Sequence, residues 1–299
     1  MVLSRVAVTG CTGVLGSHIK AYLEFKGVAV LDVGRHTSCV ENQWDLREWL
    51  EDAKFDRIFS GAEAIILAGA VVPKLGIIDE NDLFLANTNS CLNLGLWALS
   101  RGLPIIYVSG GIVYRNPHAK KITEDSELGW SGFGGLYGLS KLVGEDHLRR
   151  LREVGLKLSI VRASSIYGAG MHESKIIRKF INAAINDDKI VLRPPLNDRI
   201  NLVHAHDVSN AIYRIFKKKA WEDFNIASES MVSFRQLADT CVEFFEGGKV
   251  VKISDKVSPK KSSITFDLDI EKAKEKLFWS PIIDLKHGLK LVHERKFLP

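Results

Sequence analysis

The chain has 299 residues, 46% of them apolar, and a formal charge of +5. This is the composition of an ordinary soluble globular protein with a sizeable core, in one large or two modest domains. No apolar run reaches membrane-spanning length, and the charge is too mild to demand nucleic acid, although an anionic substrate suits it.

Strand and helix signals alternate through the first half, which predicts a parallel sheet with helices on both faces. Arg5–Thr9 reads as a first strand and Ser17–Glu24 as a helix. Val28–Val33, Ala64–Ala70, Pro104–Ser109 and Leu158–Arg162 read as further strands. The segments 87–101 and 138–154 carry helical periodicity and bury one face each. The pattern changes after Ser165. Gly168-Ala169-Gly170 interrupts it, 175–185 reads as a helix and Arg193-Pro194-Pro195 as a loop. Leu202-Val203-His204 reads as a short strand returning to the sheet. Residues 233–246 and 267–279 read as helices flanking an extended basic segment. Lys217-Lys218-Lys219 and the stretch Lys256 to Lys261 read as a solvated helix end or loop rather than a nucleic-acid surface.

The four cysteines, Cys11, Cys39, Cys91 and Cys241, have no close paired spacing. Neither a disulfide framework nor a zinc site is expected, and reduced thiols fit a cytoplasmic protein. Cys11 lies at a predicted helix N-terminus, which can lower a thiol pKa, although a small residue is also simply tolerated there. The chain enters its first strand almost at once, so no signal peptide is expected.

Two motifs carry chemistry. The turn Thr9-Gly10-Cys11-Thr12-Gly13-Val14-Leu15-Gly16 stands between a strand and a helix, the context in which glycines admit a dinucleotide phosphate to a helix N-terminus. Downstream, Tyr137 and Lys141 are four residues apart on a predicted helix, which puts them on one face about 6 Å apart at Cβ. An ammonium beside a phenol is expected to lower the tyrosine pKa from about 10, making Tyr137 a candidate acid/base at neutral pH.

With these landmarks the chain resembles the extended short-chain dehydrogenase/reductase family, particularly its nucleotide-sugar epimerases, dehydratases and ketoreductases. Further landmarks are Asp45-Leu46, Leu67-Ala68-Gly69, Asn87, Arg162 to Gly168, Arg199 to Asp207, and the ending Phe278-Trp279-Ser280-Pro281 with Gly288-Leu289. The resemblance implies a Rossmann-type, doubly wound parallel sheet in residues 1–165, to which about 202–227 return. A smaller C-terminal α/β substrate domain would occupy 166–299. It implies NAD or NADP held by Gly10, Thr12, Gly13, Val14, Leu15 and Gly16. Asp45 and Leu46 would meet the adenine, Leu67, Ala68 and Gly69 would line the cofactor, and Asn87 would support the sheet edge near the nicotinamide ribose. Tyr137 would exchange a proton with the substrate, and Lys141 would hold the ribose. Ser165 and Arg199 would contact the substrate, Arg199 gripping a nucleotide diphosphate. A homodimer is implied through helices near 92–100 and 142–151, with Leu92, Leu96, Leu99, Leu142 and Leu148 as candidate interface residues.

Three positions depart from the family pattern. The catalytic Ser or Thr expected four residues before Tyr114 falls on Gly110, with Ser109 as its neighbour; adjacent strand residues point to opposite faces, so Ser109 is a substitute only if the glycine turn lets it reach. The ribose-binding acid has two readings. Asp32 would chelate the ribose hydroxyls and select NAD. Counting from Gly27 instead places Gly34 there, with Arg35 next, leaving room for a 2′-phosphate. Finally, His206 replaces an acid before Asp207; His204 and His206 share a face, but no third ligand is evident and no metal is expected.

The leading functional reading is an oxidoreductase or epimerase of a nucleotide-linked sugar. A reductase of a non-sugar carbonyl and a non-catalytic dinucleotide-binding sensor or structural subunit are the alternatives.

Overall fold

The computed structural model describes residues 4–72, 79–192, 198–252 and 264–298. Strands and helices alternate as β1 (Arg5–Thr9), α1 (Val14–Phe25), β2 (Ala29–Val33), α2 (Asp52–Ile58), β3 (Ala64–Leu67), α3 (Glu80–Arg101), β4 (Ile105–Gly110), α4 (Gly135–Glu153) and β5 (Leu158–Ala163). There follow β6 (Ser165–Tyr167), α5 (Ile176–Ile185), β7 (Lys189–Leu192), β8 (Arg199–His204), α6 (Ala205–Lys218) and β9 (Asp223–Ile226). The C-terminal part contains β10 (Met231–Ser233), α7 (Phe234–Phe245), β11 (Lys249–Lys252), β12 (Ile264–Thr265), α8 (Glu271–Leu277) and α9 (Leu285–Glu294).

The main sheet is parallel, in the order β2-β1-β3-β4-β5-β9. Alternation along β4 explains its two coated faces. Ile106 and Val108 join a core with Ile19 and Leu23 of α1 and Ile212 and Ile215 of α6. Ile105 and Tyr107 join another with Phe55, Leu94, Trp97 and Leu148 from α2, α3 and α4. A third core forms among α5, α7, α9 and the short strands.

The alternating order follows the sequence reading, and two elements differ. The strand expected through Ala70 stops at Leu67, where the chain opens into the cavity described below. The segment at 202–204 is a strand, but β8 pairs with β6, β10 and β12 in a smaller sheet. The strand that joins the main sheet is β9, brought back by α6 packing on α1. The Lys217-Lys218-Lys219 run closes α6, with Lys219 in the left-handed conformation. The Arg193-Pro194-Pro195 loop and the stretch Lys256 to Lys261 lie outside the described residues. Cys11, Cys39, Cys91 and Cys241 are all free thiols.

Helices α3 and α4 meet at glycines. A Cβ on Gly95 would come within 2.5 Å of Leu151 Cδ1, and one on Gly144 within 2.9 Å of the Asn87 carbonyl oxygen. Leu148 is fully buried in this contact and is therefore a core residue of the chain, with no surface left for the interface role expected of it. Leu96 is 45% exposed and remains open to a partner.

Candidate active site

A cavity of about 850 Å³ opens over the C-terminal ends of β1 to β5, the crevice where parallel sheets take ligands. At one end lies the glycine turn. Gly10 has φ +76°, and a Cβ there would sit 2.7 Å from Gly69 Cα. A Cβ on Gly16 would lie 2.1 Å from the Gly10 carbonyl oxygen. Only glycine permits this closure, which brings the backbone of Gly10 to Gly16 to the cavity wall at the start of α1. Gly69 is fixed from below by its N–H donating to Thr9 Oγ1 at 2.9 Å. The helix N-terminus does not activate Cys11: burial is the main cause that pushes its thiol pKa well up, and its sulfur faces the Val8 carbonyl.

The cavity brings together Gly10, Thr12, Gly13, Val14, Leu15, Gly16, Asp32, Arg35, Asp45, Leu46, Ala68, Gly69, Ser109, Tyr137, Lys141 and Ser165. Three expected residues stand elsewhere. Leu67 is 1% exposed, its side chain packed in the α2/α3 core. Asn87 is buried behind the wall. Its amide oxygen accepts from Val71 N at 2.8 Å, and its nitrogen donates to the Val71 carbonyl and to Ser140 Oγ. It thus staples the loop after β3 to α4, one residue before Lys141. Arg199 is exposed at the start of β8 and does not line the cavity.

Lys141 and Tyr137 differ electrostatically from the sequence expectation. Lys141 is 4% exposed, donates to the Val108 carbonyl at 2.7 Å and lies 4.2 Å from the Tyr107 ring centroid. Burial pulls its pKa down to about 8, with Cys91 and Glu145 pulling the other way. Tyr137 is half-buried, and loss of hydration pushes its pKa up to about 12. The ammonium is engaged by β4, so desolvation outweighs any lowering of the phenol. Among the described residues the Tyr137 hydroxyl makes no hydrogen bond.

The departure at position 110 is real in three dimensions. Gly110 ends β4 in an extended conformation (φ −161°) and lines the cavity without a side chain. Ser109 follows Tyr107 onto the α4 side of the strand. Its hydroxyl is buried and has no hydrogen-bond partner among the described residues. A buried hydroxyl without a partner is costly.

Asp45 and the two ribose candidates are also placed. Arg47 clasps both Asp45 oxygens, at 2.6–3.1 Å, which holds the carboxylate below its ordinary pKa. Asp32 is paired with Lys20 of α1 at 3.4 Å. Sequence reasoning missed several wall residues: His36 and Thr37 after β2, Phe133 before α4, Lys175 at the start of α5, and Phe266. Phe266 has φ +59° and stacks edge-on against Phe133 with centroids 5.2 Å apart. Lone residues in irregular segments carry no periodic signal that would have found them.

His204 and His206 are buried beside His18, yet no group of three metal-ligating side chains occurs among the described residues. Asp207 is structural: its carboxylate accepts the N–H groups of Ile282 and Ile283, and its carbonyl accepts Trp279 Nε1.

The model of the NAD dependent epimerase/dehydratase family matches residues 6–227, and the chain belongs to that family. It is an enzyme of the extended short-chain dehydrogenase/reductase type whose cofactor is NAD or NADP, and the glycine cradle fits such a dinucleotide. It is 27% identical to a protein provisionally named UDP-glucose 4-epimerase from Methanocaldococcus jannaschii, over 96% of each chain. It is 24% identical to UDP-glucuronic acid decarboxylase 6 of Arabidopsis thaliana, over 97% of this chain and 88% of that one. In fold it is similar to the UDP-N-acetylglucosamine 4-epimerase from Bacillus cereus, with a TM-score of 0.81, 20% identity and 97% and 98% of the two chains covered. MoeE5 in complex with UDP-glucose and NAD also gives a TM-score of 0.81, at 19% identity over 98% of each chain. Among the described residues no helix is long and apolar enough to cross a membrane.

Proposed function

We propose that the protein alters the sugar of a nucleotide-linked sugar by oxidation and reduction at a sugar carbon, with Tyr137 exchanging the hydroxyl proton. The observation that carries this reading is the unpartnered Tyr137 hydroxyl in a cavity whose other end is the glycine cradle. The names of the relatives, which concern UDP- and GDP-sugars, support the substrate class. When bound, the nicotinamide ring supplies the hydride chemistry. Gly10 to Gly16 offer backbone N–H groups to the phosphates, and Ala68 and Gly69 leave room for the dinucleotide. Asp45 accepts from the adenine amino group beside Leu46. Lys141, charged in part at neutral pH, binds the ribose once it releases the Val108 carbonyl, and then lies close enough to ease deprotonation of Tyr137. Ser109 or a water donates to the reacting oxygen in place of the side chain missing at Gly110. Ser165 and Lys175 face the substrate end.

Residues 1–165 form the dinucleotide-binding part in this reading, and residues 166–299 supply substrate contacts apart from the return through α6 and β9. The protein works as a homodimer through the outer faces of α3 and α4. Its free cysteines favour the reducing cytoplasm. The test is to supply nucleotide sugars with NAD or NADP and to follow both nicotinamide absorbance and sugar products. Gly110 favours a second reading, a dinucleotide-binding sensor without turnover; tight cofactor binding with no product from a broad panel would select it.

A further inference from the structure

The end of β2 separates the two candidate positions for recognising the adenosine ribose. In the β1–β2 pairing, Asp32 stands opposite Val8 and Val33 opposite Thr9. Val8 packs in the α1/α6 core, so Asp32 is directed to the α1 side of the sheet. There it pairs with Lys20 and lies against the Cys11 thiol, whose pKa it helps to raise. Val33 is fully buried on the opposite side. Gly34 is the first residue beyond the strand. The Val33 carbonyl before it accepts the Gly10 N–H at 3.1 Å, which fixes this corner beside the glycine turn. A Cβ on Gly34 would have only Gly10 N within 4 Å, at 4.0 Å, so the space in front of it is open.

Arg35 comes next. It lines the cavity, is exposed, and forms no hydrogen bond or salt bridge among the described residues. Asp45, whose carboxylate Arg35 also helps to stabilise, is already clasped by Arg47. Asp32 also lines the cavity, but its carboxylate is engaged by Lys20 on the α1 side. An unpaired guanidinium beside an open glycine suits a phosphate dianion.

We propose that the pocket is built for the 2′-phosphorylated dinucleotide, NADP(H), with Gly34 providing the room and Arg35 recognising the 2′-phosphate. The preference rests on the reading of the cavity as a dinucleotide site, and it departs from the NAD of the family's description.

The test is equilibrium binding, read by nucleotide fluorescence, of NADPH and NADH to the purified protein and to Arg35→Ala and Gly34→Asp. Competition by 2′,5′-ADP and 5′-AMP isolates the phosphate. A charge-assisted contact of this kind predicts that NADPH binds about ten- to hundredfold more tightly than NADH. Arg35→Ala removes that advantage with NADH affinity unchanged, Gly34→Asp reverses the preference, and 2′,5′-ADP competes far better than 5′-AMP. NADH binding as tight as NADPH, or an equal loss for both in Arg35→Ala, would overturn the preference while leaving the dinucleotide site standing. Failure to bind either nucleotide would overturn both.

Discussion

Arg162 of β5 and Glu145 of α4 face each other as a buried ion pair. Arg162 Nε donates to both Glu145 oxygens at 3.0 and 3.2 Å, and Nη2 donates to Oε2 at 3.0 Å. Each side chain is 1% exposed. Arg162 also reaches Asp223 and the Tyr114 hydroxyl, tying β9 and the chain after β4 to the helix that carries Tyr137. Removing Glu145 leaves the buried Arg162 charge with Asp223 as its one remaining ionic partner among the described residues. Glu145→Ala is expected to lower unfolding stability by about 3–5 kcal/mol in urea titration. The double change Glu145→Leu with Arg162→Met should cost less than that single change.

The vacancy at position 110 can be filled. Gly110 has an extended backbone, and an added Cβ would meet only ordinary contacts, with the Ala163 carbonyl oxygen at 3.4 Å. Gly110→Ser should therefore fold normally. A donor at the reacting oxygen contributes about 2.7–4 kcal/mol to the transition state. Turnover should rise by a large factor if that donor is missing. If Ser109 already supplies it, Ser109→Ala will lose activity and Gly110→Ser will gain none. Steady-state kinetics on both variants separates the two outcomes.

These two sites show what a sequence can and cannot reveal. The glycine turn, the alternation of strands and helices through β5 and the Tyr137–Lys141 spacing were legible because each is a local pattern along the chain. The partners of β8 were not, because a six-residue strand fits either sheet and only long-range pairing decides. Nor was the Lys141 environment: its contact with the Val108 carbonyl joins residues 33 apart in sequence. Phe133 and Phe266 meet across an equally nonlocal gap. The absence of a side chain at Gly110 was legible, but its free space was not.

Acid should destabilise the fold through its buried histidines. His18, His204 and Tyr167 pack edge-on, with Phe297 on His18 and Tyr22 on His206. Burial lowers the pKa of His18 to about 4 and that of His204 to about 3, and also lowers His206. Below about pH 6.5 the unfolded chain takes up protons that the folded chain does not. Stability is therefore full above that pH and falls as pH drops toward 4. At pH 5 the expected loss is about 1–2 kcal/mol for each of His18 and His204. Urea titrations from pH 7 to 5 check the slope, which His18→Leu should flatten.

The proposed dimer uses the outer faces of α3 and α4. Leu85 and Leu96 are exposed there, whereas Leu148 is spent inside the subunit. Wild-type protein should scatter light as a dimer at micromolar concentration, and Leu96→Glu should shift it to monomer. A monomeric wild type would contradict the proposed assembly.

The central claim is that this cavity performs nicotinamide-dependent chemistry on a nucleotide sugar with Tyr137 as the proton-exchanging group. The most direct measurement is proton NMR of a nucleotide-sugar panel incubated with cofactor and either wild-type or Tyr137→Phe protein, alongside cofactor binding to both. The account predicts a new sugar product from wild type, none from Tyr137→Phe, and nearly equal cofactor affinity. A Tyr137→Phe protein that retains most of the wild-type turnover would contradict it.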